Sequence, residues 1–278
     1  MKWRQFFTPV QSLAADEARA LIADHAPDAI TILDVRQPGE YQGGHIPGAK
    51  LIPLPELGDR IQEIDPQKPT VVYCAVGGRS RIAAQMLNGK GFARIYNLSG
   101  GMKAWEGQSA IGSQDQGLSL FADRITARES LLVAYSMEQG LRDFYLTMMG
   151  DVQRGEVRAL FRKLADIEIN HQQRVFDEYR RNVDETISRE AFEAELVPGI
   201  TEGGLSTSEY LALYNPDINS STDVIGMAMA IEAQALDLYQ RAAETASDPK
   251  AGESLKAIAS EERSHLNELG KLMDQVQK

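Results

Sequence analysis

LADIEINHQQRV (164–175) and IASEERSHLNEL (258–269) decide the reading of this chain. Each has apolar residues at helical spacing and a Glu-x-x-His, Glu168 with His171 and Glu262 with His265. Residues three apart lie on one helix face, so each pair can grip one side of a common site. The two stretches are 94 residues apart, and the same offset relates Glu138 to Glu232 and Tyr145 to Tyr239. A constant offset at functional-looking positions marks an internal repeat of two helical hairpins. The pattern predicts helices near 121–149, 153–182, 223–247 and 250–276. An irregular stretch from about 183 to 222 contains VPGITEGG, YNPDINSST and a short helix around 188–196. Two hairpins joined by one long crossover make an all-α four-helix bundle.

The repeat brings six ligands in two matching sets: Glu138, Glu168 and His171, then Glu232, Glu262 and His265. A lone Glu-x-x-His on a helix is ordinarily an exposed pair. Here two of only four histidines follow a Glu by three residues, each pair 30 residues beyond a partner Glu. Four inward carboxylates would repel one another, and two divalent cations would neutralise them. Carboxylate and imidazole donors suit iron or manganese better than zinc or Cu(I). The expectation is two ions, with Glu168 and Glu262 bridging, His171 and His265 each capping one ion, and Glu138 and Glu232 closing opposite ends. Tyr145 and Tyr239 sit two turns beyond the lone Glu of each half, as partners of the ligand carboxylates or as ordinary core aromatics.

Upstream of residue 110 the pattern is different. ITILDVR (30–36), AKLIPL (49–54), TVVYCAV (70–76) and RIYNL (94–98) are short β-branched runs bounded by Gly, Pro or Asp. Helical spacing runs through 12–25, with Ser12 as N-cap, and through 55–64 and 79–91. Alternating strands and helices predict an α/β domain with a mainly parallel sheet covered on both faces. The polar, Gly- and Ser-rich stretch GQSAIGSQDQG (107–117) reads as a linker. The expected organisation is a first domain at 1–110, a linker at 111–119 and the bundle at 120–278.

Cys74 closes the third of these strand runs, and Ala75, Val76, Gly77, Gly78, Arg79 and Ser80 lead into a helix. Such a turn aims backbone N–H groups and the positive end of the helix dipole at one point. Gly77 and Gly78 permit the tight path, and Arg79 adds a cation. Together they would stabilise a thiolate or persulfide. A lone cysteine at a strand end is usually a structural thiol, but C-x-x-G-x-R-S before a helix reverses that reading.

Composition bounds the rest. The 278 residues are 43% hydrophobic and 25% charged, a soluble globular profile long enough for two cores. Residues 1–112 carry 12 Lys+Arg against 11 Asp+Glu (+1), and the remainder carries 17 against 29 (−12), which accounts for the net −11. The acidic half argues against nucleic acid and anionic membranes as partners. No run approaches the roughly 18–20 apolar residues of a membrane span. The opening MKWRQFFTPVQSLAADEARA turns polar by Gln11 and reads as no secretory signal. One cysteine excludes an internal disulfide, which suits a reducing cytoplasm.

On these residues, roughly 5–108 resembles a rhodanese-like sulfurtransferase. LDVRQPGEYQGGHIPGAKLIPL (33–54), with Asp34, Arg36, Glu40, His45 and Gly48 in order, looks like its first signature, and LSGGMKAW (98–105) like its closing segment. The resemblance implies that Cys74 is the persulfide-forming nucleophile, that Arg79 and the loop amides bind the sulfur or an anionic donor, and that His45 is structural. Cysteine phosphatases place the arginine six residues after the cysteine. Here it is five, a smaller loop suited to sulfur.

The region 120–276 resembles a rubrerythrin or ferritin-like di-iron protein, which implies binuclear iron reacting with peroxide or dioxygen. It departs from the family where an additional ligand Glu is usual, at Ala235, and in lacking the paired cysteines of a rubredoxin module, so an electron donor would be external. The implied whole is a cytoplasmic enzyme with a small sulfur donor, a thiol, cyanide-like or protein acceptor, and a homodimer among its arrangements. The rival class is an iron-storing or iron-sensing protein with a rhodanese-like docking module.

Overall fold

Period-two alternation builds the first unit. Along Thr31–Asp34 (β2) and Thr70–Tyr73 (β4), Ile32, Val71 and Tyr73 join one buried cluster, while Leu33, Val35, Val72 and Cys74 join another on the opposite face. Gln11–Leu13 (β1), Ala49–Leu51 (β3) and Ile95–Leu98 (β5) complete a five-stranded sheet in the order β1-β5-β4-β2-β3, every pairing parallel. Ala15–Ala23 (α1) covers the first face and Gly78–Gly89 (α3) the second. Short helices Pro38–Gln42 (α2) and Gly101–Ala104 (α4) follow β2 and β5. The structure is a computed structural model describing residues 10–121, 126–197, 200 and 202–277. The start of the segment read for a secretory signal, 1–9, lies outside these.

Two local expectations are corrected. Ser12 is not an N-cap. It lies in β1, paired with Asn97 of β5, and Ala14 precedes the helix instead. Residues 55–64 are not one helix but two 3-10 turns, Leu54–Glu56 and Ile61–Glu63. Pro53, Pro55 and Gly58 interrupt the apolar spacing, and Leu57 and Ile64 still reach the core.

The second unit repeats itself. Ala127–Asp151 (α5) maps by the 94-residue offset onto Ser221–Thr245 (α9), and Gly155–Asn182 (α6) onto Pro249–Val276 (α10), end for end. Thr126, Ser220 and Asp248 cap three of the four with side-chain oxygens. Between the hairpins, Arg189–Glu193 (α7) occupies the expected short helix. Thr207–Tyr214 (α8) forms where an irregular chain was expected, because Ser206 and Glu209 make a reciprocal capping box. Residues 122–125, 198, 199 and 201, which fall in the expected first helix and in VPGITEGG, lie outside the described residues.

The chain divides between Gln114 and Asp115. Before that point the polar stretch pairs Ala110 with His45 and sends the Gly112 amide to the Gln42 carbonyl. After it, the Gln116 carbonyl accepts from Arg241. Among the described residues no helix is long and apolar enough to cross a membrane.

Candidate functional site

Cys74 follows the last residue of β4, and α3 begins four residues later. The Gly77 amide donates to its Sγ at 3.1 Å, and the Ser80 hydroxyl lies 3.5 Å from Sγ and 2.7 Å from Asn97 Oδ1. That hydroxyl has one proton, so it can serve either acceptor. Burial opposes the Cys74 thiolate, but hydrogen bonds from the Ser80 hydroxyl and from the Ser80, Val76 and Gly77 amides outweigh it. The thiol's pKa is therefore lowered. Ser80→Ala is expected to raise it, since the variant loses the hydroxyl hydrogen bond that favours the thiolate. The pH profile of iodoacetamide alkylation would read this, and an unmoved profile would remove Ser80 from the cradle.

Gly77 holds φ +95°, which turns the chain from the loop into the helix. Val76 is 63% exposed on the rim, and Ala75 and Gly78 complete the turn. Arg79 points to Glu40, donating through its two terminal nitrogens at 2.8 and 2.7 Å. The paired guanidinium holds the Glu40 carboxyl down to about 2. Asp34 and Arg36 form a buried pair at 2.7 Å, and Arg36 also donates to the Gly44 carbonyl. His45 is fully buried, stacked on Tyr41 at 3.6 Å, and makes backbone bonds with Ala110. Asp34, Arg36 and His45 are buried in the first unit, and Arg79 also lies near enough to Cys74 for the sulfur to favour its charged form, after Glu40.

Two contributors were not singled out from the sequence. Asn97 is fully buried at the end of an apolar strand and connects Ser80 to Ser12. A polar residue inside RIYNL was the available signal. Gly101 holds φ +58°, and a Cβ there would lie 2.2 Å from the Cys74 carbonyl oxygen. The amides of Met102 and Lys103 donate to the carbonyls of Cys74 and Ala75, so α4 is stitched to the loop. Gly101→Ala is expected to destabilise the first unit by about 2 kcal/mol or more through backbone displacement. Chemical denaturation of the variant would measure it, and unchanged stability would show that the loop yields freely.

At mid-bundle the six acidic and imidazole residues converge. Glu138, Glu168, His171, Glu232, Glu262 and His265 are each at most 5% exposed. They lie between one apolar cluster running through Met137, Val175, Ala235 and Ala259 and another through Leu141, Ala165, Ile231 and Leu269. His171 Nδ1 is 2.7 Å from Glu168 and 3.3 Å from Glu138. His265 Nδ1 is 3.5 Å from Glu262 and 3.9 Å from Glu232. The two rings stack at 3.4 Å with planes 5° apart. Donor atoms of Glu138, Glu168 and His171, and of His171, Glu232 and His265, gather within 4.8 Å. Tyr145 and Tyr239 are fully buried, one in each apolar cluster.

The electrostatics fit a cation site. Burial, then the Glu262 and Glu168 charges, push the Glu232 carboxyl well above its usual range. Burial, His171 and Arg174 push His265 down to about 2, so its imidazole is neutral and able to coordinate. Among the described residues, no donor or acceptor satisfies the buried Glu232 Oε2 or His265 Nδ1 within hydrogen-bond geometry. Two carboxylates 4 Å apart repel by about 4 kcal/mol at an effective dielectric of 20. Cations entering the cluster would offset that repulsion.

Comparison with known proteins agrees with both halves. The family model for the rhodanese-like domain matches residues 14–108, and the rubrerythrin model matches 129–273. The first unit is 34% identical over 107 residues to the thiosulfate sulfurtransferase GlpE of Pseudomonas entomophila, covering 37% of this chain and 94% of that protein. It is 49% identical over 77 residues to YqhL of Bacillus subtilis, covering 28% of this chain and 61% of that one. Against the rhodanese-like/PpiC protein 12 of Arabidopsis thaliana the match spans only 34% of that protein's length. A crystal structure of a rhodanese-like protein from Staphylococcus aureus is 33% identical, with a TM-score of 0.34, covering 37% of this chain and all of that one. The chain belongs to the rubrerythrin family through its helical bundle, and carries ahead of it a member of the rhodanese-like family.

Proposed function

We propose that the chain is a sulfurtransferase in which Cys74 carries sulfane sulfur, joined to a bundle that binds two iron ions and performs peroxide- or oxygen-linked redox chemistry. The observation that carries the first part is the cradle at Cys74: a thiol with a lowered pKa, at a helix start, facing the Gly77 amide and the Ser80 hydroxyl. With thiosulfate as donor, the Cys74 thiolate attacks the outer sulfur. A Cys74 S–S bond forms, the S–S bond of thiosulfate breaks, and sulfite leaves with the electron pair. A thiolate acceptor then takes the outer sulfur and returns Cys74 to its thiolate. No net oxidation occurs. The loop amides and Ser80 stabilise the anionic sulfur in both states. Arg79, set by Glu40, contributes positive charge beside the incoming anion.

In the bundle, Glu138, Glu168, His171, Glu232, Glu262 and His265 would hold the ions. Bound iron supplies one-electron redox chemistry. The protein residues supply charge balance and neutral imidazoles, and the two apolar clusters exclude bulk water. Among the described residues Cys74 is the one cysteine, so electrons would come from an external donor. Thiol acceptor, donor and reductant are small molecules or partner proteins of the same cytoplasm. Thiosulfate-dependent sulfite release, together with iron analysis and peroxide consumption on the same preparation, tests the reading. Iron uptake without sulfur or peroxide turnover would favour a storage or sensing protein.

A further inference from the structure

A cavity of about 70 Å³ lies against the metal-ligand cluster, between α6 and α10. Its floor includes Glu168, Glu232 and His265, all buried. Ile167 and Leu272 form half-buried walls, and Lys163 and Glu268 are exposed at the rim. A water needs roughly 10–15 Å³ of such cavity space, so the cavity admits several water-sized molecules.

The repeat makes the opposite side of the same seam informative. The 94-residue offset relates Ile167 to Glu261, Lys163 to Ala257, Arg174 to Glu268 and Glu178 to Leu272. The apolar walls Ile167 and Leu272 therefore correspond to Glu261 and Glu178, and the rim carboxylate Glu268 to Arg174. There Arg174 lies 3.8 Å from Glu261, and one of its terminal nitrogens is 3.4 Å from His265 Nε2. The six ligand residues occupy sequence positions related by the repeat, and the residues around them do not match in kind. One side is a small cavity walled by apolar carbons, and the other is spanned by an ion pair resting on a ligand ring.

We propose that divalent cations reach the buried centre through the α6/α10 cavity between Ile167 and Leu272, with Glu268 as the first carboxylate met, and that the Arg174–Glu261 pair closes the related path. The inference rests on the metal-site reading above. A cation that has shed most of its hydration shell fits the cavity, and each step inward offers an oxygen donor, from Glu268 at the rim to Glu168 and Glu232 at the floor. On the opposite side it would meet the Arg174 guanidinium held against the His265 ring, whereas Lys163 on the cavity side is exposed at the rim, where solvent and salt screen its charge.

The test is the rate at which metal-free full-length protein takes up Co(II) alone, followed by its ligand-field absorption after rapid mixing. Ile167→Trp fills the cavity, and Glu261→Trp places the same bulk at the related position. The first is expected to slow uptake about tenfold or more, and the second to change it less than about twofold, with the final spectrum and stoichiometry unchanged in both. Leu272→Trp, at a half-exposed wall position that tolerates bulk, should slow uptake as Ile167→Trp does. Equal rates in Ile167→Trp, Leu272→Trp and Glu261→Trp, or slower uptake in Glu261→Trp alone, would overturn the route. Failure of the unaltered protein to bind Co(II) would overturn the metal-site reading and the route with it.

Discussion

Cys74→Ser is expected to lower thiosulfate-dependent sulfite release by on the order of a thousandfold or more, the scale seen when a covalent nucleophile is removed. The reason is chemical. A serine hydroxyl is not deprotonated by the amides and the Ser80 hydroxyl that lower the Cys74 pKa, and it forms no stable bond to sulfane sulfur. The substitution is nearly isosteric, and Cys74 is buried, so the fold should survive with its circular dichroism unchanged. Mass spectrometry after incubation with thiosulfate should find one added sulfur on the unaltered protein and none on the variant. Retention of full sulfite release by Cys74→Ser would remove the nucleophile assignment, since this sequence contains no other cysteine.

The second large effect concerns the bundle. Glu168→Ala or Glu262→Ala is expected to reduce bound iron well below two ions per chain and to abolish most metal-dependent stabilisation. Metal at about 100 times its dissociation constant stabilises by about 2.7 kcal/mol, which at 2–4 °C per kcal/mol raises Tm by roughly 5–10 °C. Either variant should lose most of that rise, because three carboxylates remain for four positive charges. The sign of the pH dependence follows from Glu232, whose folded pKa lies above its unfolded value. Without metal, its contribution favours folding at low pH and is lost as pH climbs from the ordinary carboxylate range through the raised folded pKa. Metal replaces that proton, so affinity should increase with pH and binding should release protons. Calorimetry in buffers of different ionisation enthalpy would count them. Zero proton release, together with an unchanged Tm in Glu168→Ala, would show that these carboxylates do not hold the ions.

Each ligand set belongs to one compact unit, Cys74 to Met1–Gln114 and the carboxylates to Asp115–Lys278. Loss of sulfur transfer in Cys74→Ser should leave metal loading untouched, and loss of metal in Glu262→Ala should leave sulfite release untouched.

Much of this protein is legible without coordinates. The repeat at 94 residues sets the four long helices, because apolar spacing and Glu-x-x-His placement are properties of one helix face and need no tertiary information. The strand runs and C-x-x-G-x-R-S place a cysteine at a strand-to-helix turn for the same local reason. What the linear pattern leaves open is decided by contacts between distant segments. Ser12 leaves its expected cap because β5 offers it a strand partner, and Gly101 is required because the Cys74 carbonyl lies where its Cβ would be. Arg79 faces Glu40, 39 residues away, a pairing no spacing rule contains. The bundle's internal symmetry likewise holds for its ligands and breaks at Arg174, Glu261 and the Ile167 cavity. Local periodicity specifies which residues share a face. Only packing specifies which faces meet, and therefore where space and charge remain.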